Sequence, residues 1–243
     1  TALWGTEQET ARAWKDIQSN YFGIGKSSGE SEAASGDATS LIPLLSDLLE
    51  AKDRQLLNHS SRVSFYASLL ANRLNLPVAE QKALALGAFL HDIGKIAQAD
   101  YSFKAEYQTR GDQVDGDHQH PDIGSRMLLP LGFPAEVGQI VAYHHERFDG
   151  LGYPHGLRGE GIPLLARIVS IAQAFDNLTV DVPGRQPLSI DDAIRQITLQ
   201  ADTHFDPMLT ELFARVVREC KSSLPALAIA EAQGRVIVNA DAL

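Results

Sequence analysis

Residues 56–74 read LLNHSSRVSFYASLLANRL. Leu56, Val63, Ala67, Leu70 and Leu74 recur at steps of seven, four, three and four, the spacing that keeps apolar side chains on one face of an α-helix. His59 falls on the same face, three residues after Leu56 and four before Val63. The segment that commits the chain to helical packing therefore also carries an imidazole into the core.

The helical pattern continues in both directions. A second helix is predicted from Pro77, a favoured first helical position, through Leu86, Phe89 and Leu90 to a stop at Gly94. Pro121 and Pro134 open two more, and a longer helix from about Pro163 aligns Leu164, Ile168, Ile171, Phe175 and Leu178. Ser189 and Asp206 read as N-caps of the last two, with Pro207 in the first turn. The fold class is all-α, a helical bundle, with GRVIVNADAL at 234–243 as a short C-terminal strand. Residues 23–40, rich in Gly, Ser and Ala, read as a flexible linker between an N-terminal helical segment, 1–22, and a main domain at 41–220; residues 221–243 form a C-terminal extension.

At 243 residues and 44% hydrophobic, the chain can bury one large core. A formal charge of −10 argues against coating a nucleic-acid polymer, which needs clustered Lys and Arg, so an anionic ligand must meet a local positive site. The single cysteine, Cys220, excludes an internal disulfide framework and a Cys-rich zinc site, which suits a cytoplasmic setting. No run of about 18 uninterrupted apolar residues could span a bilayer, and no basic, apolar leader is visible. The chain starts at Thr1 without Met, which suggests a fragment lacking an upstream sensor or membrane domain.

The polar residues carry the chemistry. His91 follows the small residues Gly87 and Ala88, and His144 continues the face of Val137, Ile140 and Val141 with His145 turned about 100° from it. Asp92 and Asp176 lie at the edges of apolar stripes near helix C-termini, where the helix dipole disfavours a carboxylate by about 0.3–1 kcal/mol and unpaired burial costs far more. A cation should compensate, yet only Lys95 is spaced to do so within its own helix. Imidazoles and carboxylates gathered in a core without thiolates are a ligand set for Fe, Mn or Ni, or for Zn. Consecutive helical residues such as His144 and His145 diverge too far to share one ion, but could serve two neighbouring ions bridged by a carboxylate. His118, His155 and His204 read as structural.

With HDIGK at 91–95, HPDIG at 120–124, HHERFDGLGYP at 144–154, IPLLARIVSIAQAFDNLT at 162–179 and THFDP at 203–207, the chain resembles the HD-GYP family, phosphodiesterases of the HD superfamily that hydrolyse bacterial cyclic di-GMP. The resemblance spans about 41–220 and implies an HD-domain helical bundle with a GYP loop. It implies metal ligands His59, His91, Asp92, His120, His144, His145 and Asp176, with Asp92 bridging two divalent ions, Fe or Mn before Ni or Zn. It further implies Lys95 on the scissile phosphate, Tyr153 and Arg185 on the substrate, and Glu146, Arg147 and Asp149 fixing the loop. The expected partner is cyclic di-GMP, cleaved to pGpG and on to GMP, with a diguanylate cyclase (GGDEF) domain as a further partner through the GYP loop.

Three departures from the family pattern are visible. Gln55 stands where members with three metals carry a carboxylate, which favours a two-metal centre. Residues 96–119 lack the Lys-Pro-Gly lid pattern, and VPGR at 182–185 replaces Arg-Pro-Tyr-Arg. Rival readings are a cyclic di-GMP binding or protein-interaction module with weak or no turnover, a nucleotidase or di-iron oxygenase on the same bundle, and an adaptor without metal.

Overall fold

The computed structural model describes Lys15, Ser19 and residues 38–98, 117–181 and 185–232. Eight α-helices are found among them: α1 Ile42–Lys52, α2 Arg54–Arg73, α3 Val78–Leu90, α4 His120–Leu128, α5 Ala135–Tyr143, α6 Leu164–Thr179, α7 Ile190–Leu199 and α8 Pro207–Ala232. No strand occurs among the described residues, as an all-α bundle requires. The strand expected at 234–243, the N-terminal segment 1–22 apart from the helical Lys15 and Ser19, and the substituted Val182 and Gly184 lie outside the described residues. Helix α8 runs through the expected domain edge at residue 220.

Local chemistry sets most boundaries where the sequence predicts them. Asp53 caps α2 by accepting a hydrogen bond from the Gln55 amide, and Ser189 caps α7 by accepting one from Asp192. Asp206 Oδ1 accepts from the amides of Met208 and Leu209 at the start of α8. Pro134 and Pro163 each precede the first residue of their helix, and Pro121 sits in the first turn of α4.

Helix α2 is the axis of the core. It packs against α1, α3, α6 and α8, while α5 covers α3 and α4. Tyr66, Phe175 and Phe213 meet edge to face, with centroids 5.0 and 5.3 Å apart, and so tie α2, α6 and α8 together. Burial raises the Tyr66 phenol far above its usual range, with Asp176 nearby adding to the effect.

Two expectations need correction. Helix α3 ends at Leu90, not at Gly94, and Ile93–Ala97 turns as a 3₁₀ helix. Gly94 is pressed onto α4: a Cβ there would lie 2.0 Å from the His120 carbonyl oxygen and 2.7 Å from the Gly124 nitrogen. The second concerns the paired histidines. Helix α5 stops at Tyr143, leaving His144 as its C-cap and His145 in the following turn, so the 100° divergence of helical neighbours does not apply.

Candidate metal centre

Six of the expected ligands converge at the ends of three helices and on the turn after α5. His59 comes from the second turn of α2, His91 caps α3 with Asp92 immediately behind it, and His120 opens α4. His59, His91, Asp92, His120 and His144 are almost completely buried, while His145 is half-buried. Their ligand atoms form two groups that could each hold an ion: His59, His91 and Asp92 in one, and Asp92, His120, His144 and His145 in the other. His144 and His145 thus share one group, with ring centroids 4.1 Å apart, instead of separating between two.

Asp92 belongs to both groups and turns one oxygen to each. Its Oδ2 lies 3.3 Å from His91 Nε2, 3.8 Å from His59 Nε2 and 2.9 Å from Lys95 Nζ. Its Oδ1 lies 3.1 Å from His120 Nε2 and 3.8 Å from His144 Nε2, yet no donor is aligned on it. A buried carboxylate oxygen without a hydrogen bond is costly unless a cation faces it. Burial pushes the Asp92 pKa up, but the neighbouring His91 and Lys95, with His120 close by, hold it well below the usual carboxylate range. The group is therefore an anion at neutral pH.

The imidazoles are prepared to offer lone pairs. His91 Nδ1 donates to the Ala88 carbonyl at 2.7 Å, His144 Nδ1 to the Val141 carbonyl at 2.9 Å, and His59 Nδ1 to Asp176 Oδ2 at 2.7 Å. In a neutral ring this places the only proton on Nδ1 and leaves Nε2 bare. His59 Nε2 and His91 Nε2 are then 3.3 Å apart with lone pairs towards one another, a repulsion that an ion between them relieves. His120 Nε2 stands 3.3 Å from His144 Nε2 and 3.2 Å from His145 Nε2. Burial, followed by the neighbouring imidazoles, lowers the pKa of His144 and of His145 well below the usual value, so both are neutral at pH 7. Neutral nitrogens, a shared carboxylate and an orphaned oxygen fit divalent metal ions.

Asp176 takes a different position from the other expected ligands. It is fully buried, and its carboxylate accepts from His59 Nδ1 and from Arg62, Nε to Oδ1 at 2.6 Å and Nη2 to Oδ2 at 3.0 Å. It joins neither group. Burial raises its pKa, but the Arg62 charge and the His59 and Arg62 hydrogen bonds outweigh that and hold it below the usual value. Arg62 is the compensating cation that the sequence demanded but did not locate. It comes from α2, three residues after His59, and only the packing of α2 against α6 reveals it.

Lys95 is completely buried and donates to Asp92 Oδ2. The GYP loop is fixed from below. Glu146, 2% exposed, accepts from the amides of His155 at 2.7 Å and Leu157 at 2.9 Å. Arg147 pairs with Asp149 at 2.5 Å, and that hydrogen bond lowers the Asp149 pKa to about 2. The amides of Phe148 and Asp149 donate to the carbonyls of His204 and Thr203, which joins the loop to THFDP. His204 stacks on Phe205, and burial with Arg147 nearby lowers its pKa to about 4. Tyr153 stacks on His145, with centroids 4.8 Å apart. Arg185 lies elsewhere, donating to the carbonyl of Asn177 at the end of α6, and Gln55 is exposed.

The family model described as "HD domain" matches residues 43–209, the span that carries both groups. The chain belongs to the HD domain family. It is 35% identical over 173 residues to the cyclic di-GMP phosphodiesterase response regulator RpfG of Xanthomonas campestris pv. campestris, covering 70% of this chain and 46% of that one. It is 29% identical over 167 residues to the 3'3'-cGAMP-specific phosphodiesterase 3 of Vibrio cholerae, covering 69% of this chain and 36% of that one. The chain thus spans less than half the length of these curated relatives. Among solved structures, the HDG"Y"P protein Bd1817 of Bdellovibrio bacteriovorus shares the fold, with a TM-score of 0.60, 19% identity, and coverage of 87% of this chain and 64% of that one.

Proposed function

We propose that this chain is a metal-dependent phosphodiesterase that opens cyclic di-GMP to pGpG and continues to GMP. The observation that carries the reading is Asp92, a buried carboxylate set between two imidazole groups with one oxygen towards each and Lys95 beside it. His59, His91 and Asp92 would hold one divalent ion, and Asp92, His120, His144 and His145 the other, Fe or Mn being the preferred metals. Bound there, the ions supply Lewis-acid charge and lower the pKa of a water molecule.

The protein's own part is arrangement. Carbonyls and Asp176 fix the imidazole tautomers, Arg62 fixes Asp176, and the buried Lys95 would contribute positive charge towards the phosphate. On this reading the attacking oxygen is that of a water molecule. It bonds to phosphorus as the ribose 3' oxygen leaves and takes up a proton, giving a linear 5'-phosphate dinucleotide. Tyr153, stacked on His145, would contact the substrate, and a diguanylate cyclase domain would dock on the GYP loop. A second substrate, 3'3'-cyclic GMP-AMP, is suggested by relatives named for it.

The test is a chromatographic assay of both cyclic dinucleotides, run without oxygen in Fe(II) or Mn(II), with elemental analysis of the same sample. Appearance of pGpG with about two metals per chain is expected. Fully metallated protein that cleaves neither dinucleotide would leave the binding-module reading in its place.

A further inference from the structure

His118 sits in the 3₁₀ turn Asp117–Gln119, two residues before His120, and its side chain is exposed. Its ring nonetheless lies flat on Tyr153, with centroids 3.9 Å apart and planes inclined by 27°. Tyr153 in turn lies flat on His145, at 4.8 Å and 19°. Three near-parallel rings from three segments thus lead from one ligand group to the surface. The inner two are anchored: the Tyr153 amide donates to the His145 carbonyl at 3.3 Å, and Glu146 pins the loop beyond. His118 adds little to the core because it stands in solvent, so the stack is not explained by burial.

An exposed planar stack beside a phosphate-handling site is a platform for a nucleobase. Stacking on an aromatic face accepts any base and needs no hydrogen-bond code. We infer that His118 is a base-contacting residue, its imidazole forming the outer end of a stack on which one purine of a cyclic dinucleotide is laid. The inference rests on the phosphodiesterase reading and adds to it a residue that the HDIGK, HPDIG and GYP motifs do not include.

The experiment titrates metal-loaded wild type, His118→Ala and His118→Phe with a bis-phosphorothioate analogue of cyclic di-GMP, and measures metal content in each. The expected result is a Kd about tenfold or more weaker for the alanine variant and within about threefold of wild type for the phenylalanine variant, with equal metal content. With cyclic di-GMP itself, KM should rise in His118→Ala while kcat stays within about twofold. Equal or tighter binding by His118→Ala, or a phenylalanine variant as weak as the alanine one, overturns the inference. Wild type that carries its metals but binds no analogue overturns the phosphodiesterase reading, and the inference with it.

Discussion

Replacing Arg62 with leucine should destabilise the metal-free protein through Asp176. The Arg62 side chain is 12% exposed and makes two bonds, at 2.6 and 3.0 Å, to a carboxylate that is not exposed at all. Breaking a buried pair from one side costs about 3–5 kcal/mol, and the partial exposure of Arg62 puts the expectation at about 3 kcal/mol. For a chain of this size that is a fall in Tm of about 6–12 °C. The pH dependence gives the sign. In wild type the Asp176 pKa is depressed, so its stabilisation is present above the unfolded value, about 3.9, and is lost as pH falls through the native one. In Arg62→Leu burial acts with less opposition and the pKa rises; the penalty is then full at pH 7 and shrinks as the carboxyl protonates. The two proteins should therefore converge in stability on acidification towards pH 4. Urea unfolding in chelator at several pH values measures this, and Asp176→Asn added to Arg62→Leu should restore part of the loss by removing the orphaned charge. A constant gap across pH, or no rescue by asparagine, would refute the argument.

Four further outcomes follow from the same geometry. Asp92→Ala should lose metal from both groups together, read by elemental analysis, because no other residue belongs to both. Lys95→Met should keep its metal but lower kcat by about 100-fold, the usual loss on removing one charged contact to the developing phosphoryl charge. Glu146→Gln should cost about 2 kcal/mol by weakening two charge-assisted bonds, and should speed hydrogen exchange at the amides of His155 and Leu157. Gly94→Ala must move the His120 backbone, costing about 1–3 kcal/mol of overpacking and weakening metal affinity in a titration.

The helices were legible because their signals are local: apolar spacing in 56–74 and 164–178, prolines at helix starts, and the caps Ser189 and Asp206. Two helix ends are not legible for one reason. Helix α3 stops at Leu90 and α5 at Tyr143, and nothing in either segment announces the stop. The first stop comes from Gly94 meeting the α4 backbone, a contact between distant segments. Among the residues of the candidate site, those in motifs stand out in the sequence, while Arg62 and the stack of His118 on Tyr153 do not. Arg62 matters only once α6 brings Asp176 to it, and His118 only once the GYP loop lays Tyr153 across it. A helical arginine three residues after a core histidine was the one local hint.

The pairing of Arg62 with Asp176 and of Lys95 with Asp92 also bears on how an acidic protein could accept a dianion. Within the buried cluster two carboxylates are matched by two basic side chains, while His144 and His145 are held neutral. The residues alone are thus close to electrically balanced. On the proposed reading, charge brought by divalent ions is then not consumed in neutralising the protein, as it would be if Asp176 lacked Arg62, and remains directed at the phosphate. Arg62 would in this way act on the reaction without approaching the substrate, which is why its loss should lower metal affinity as well as stability.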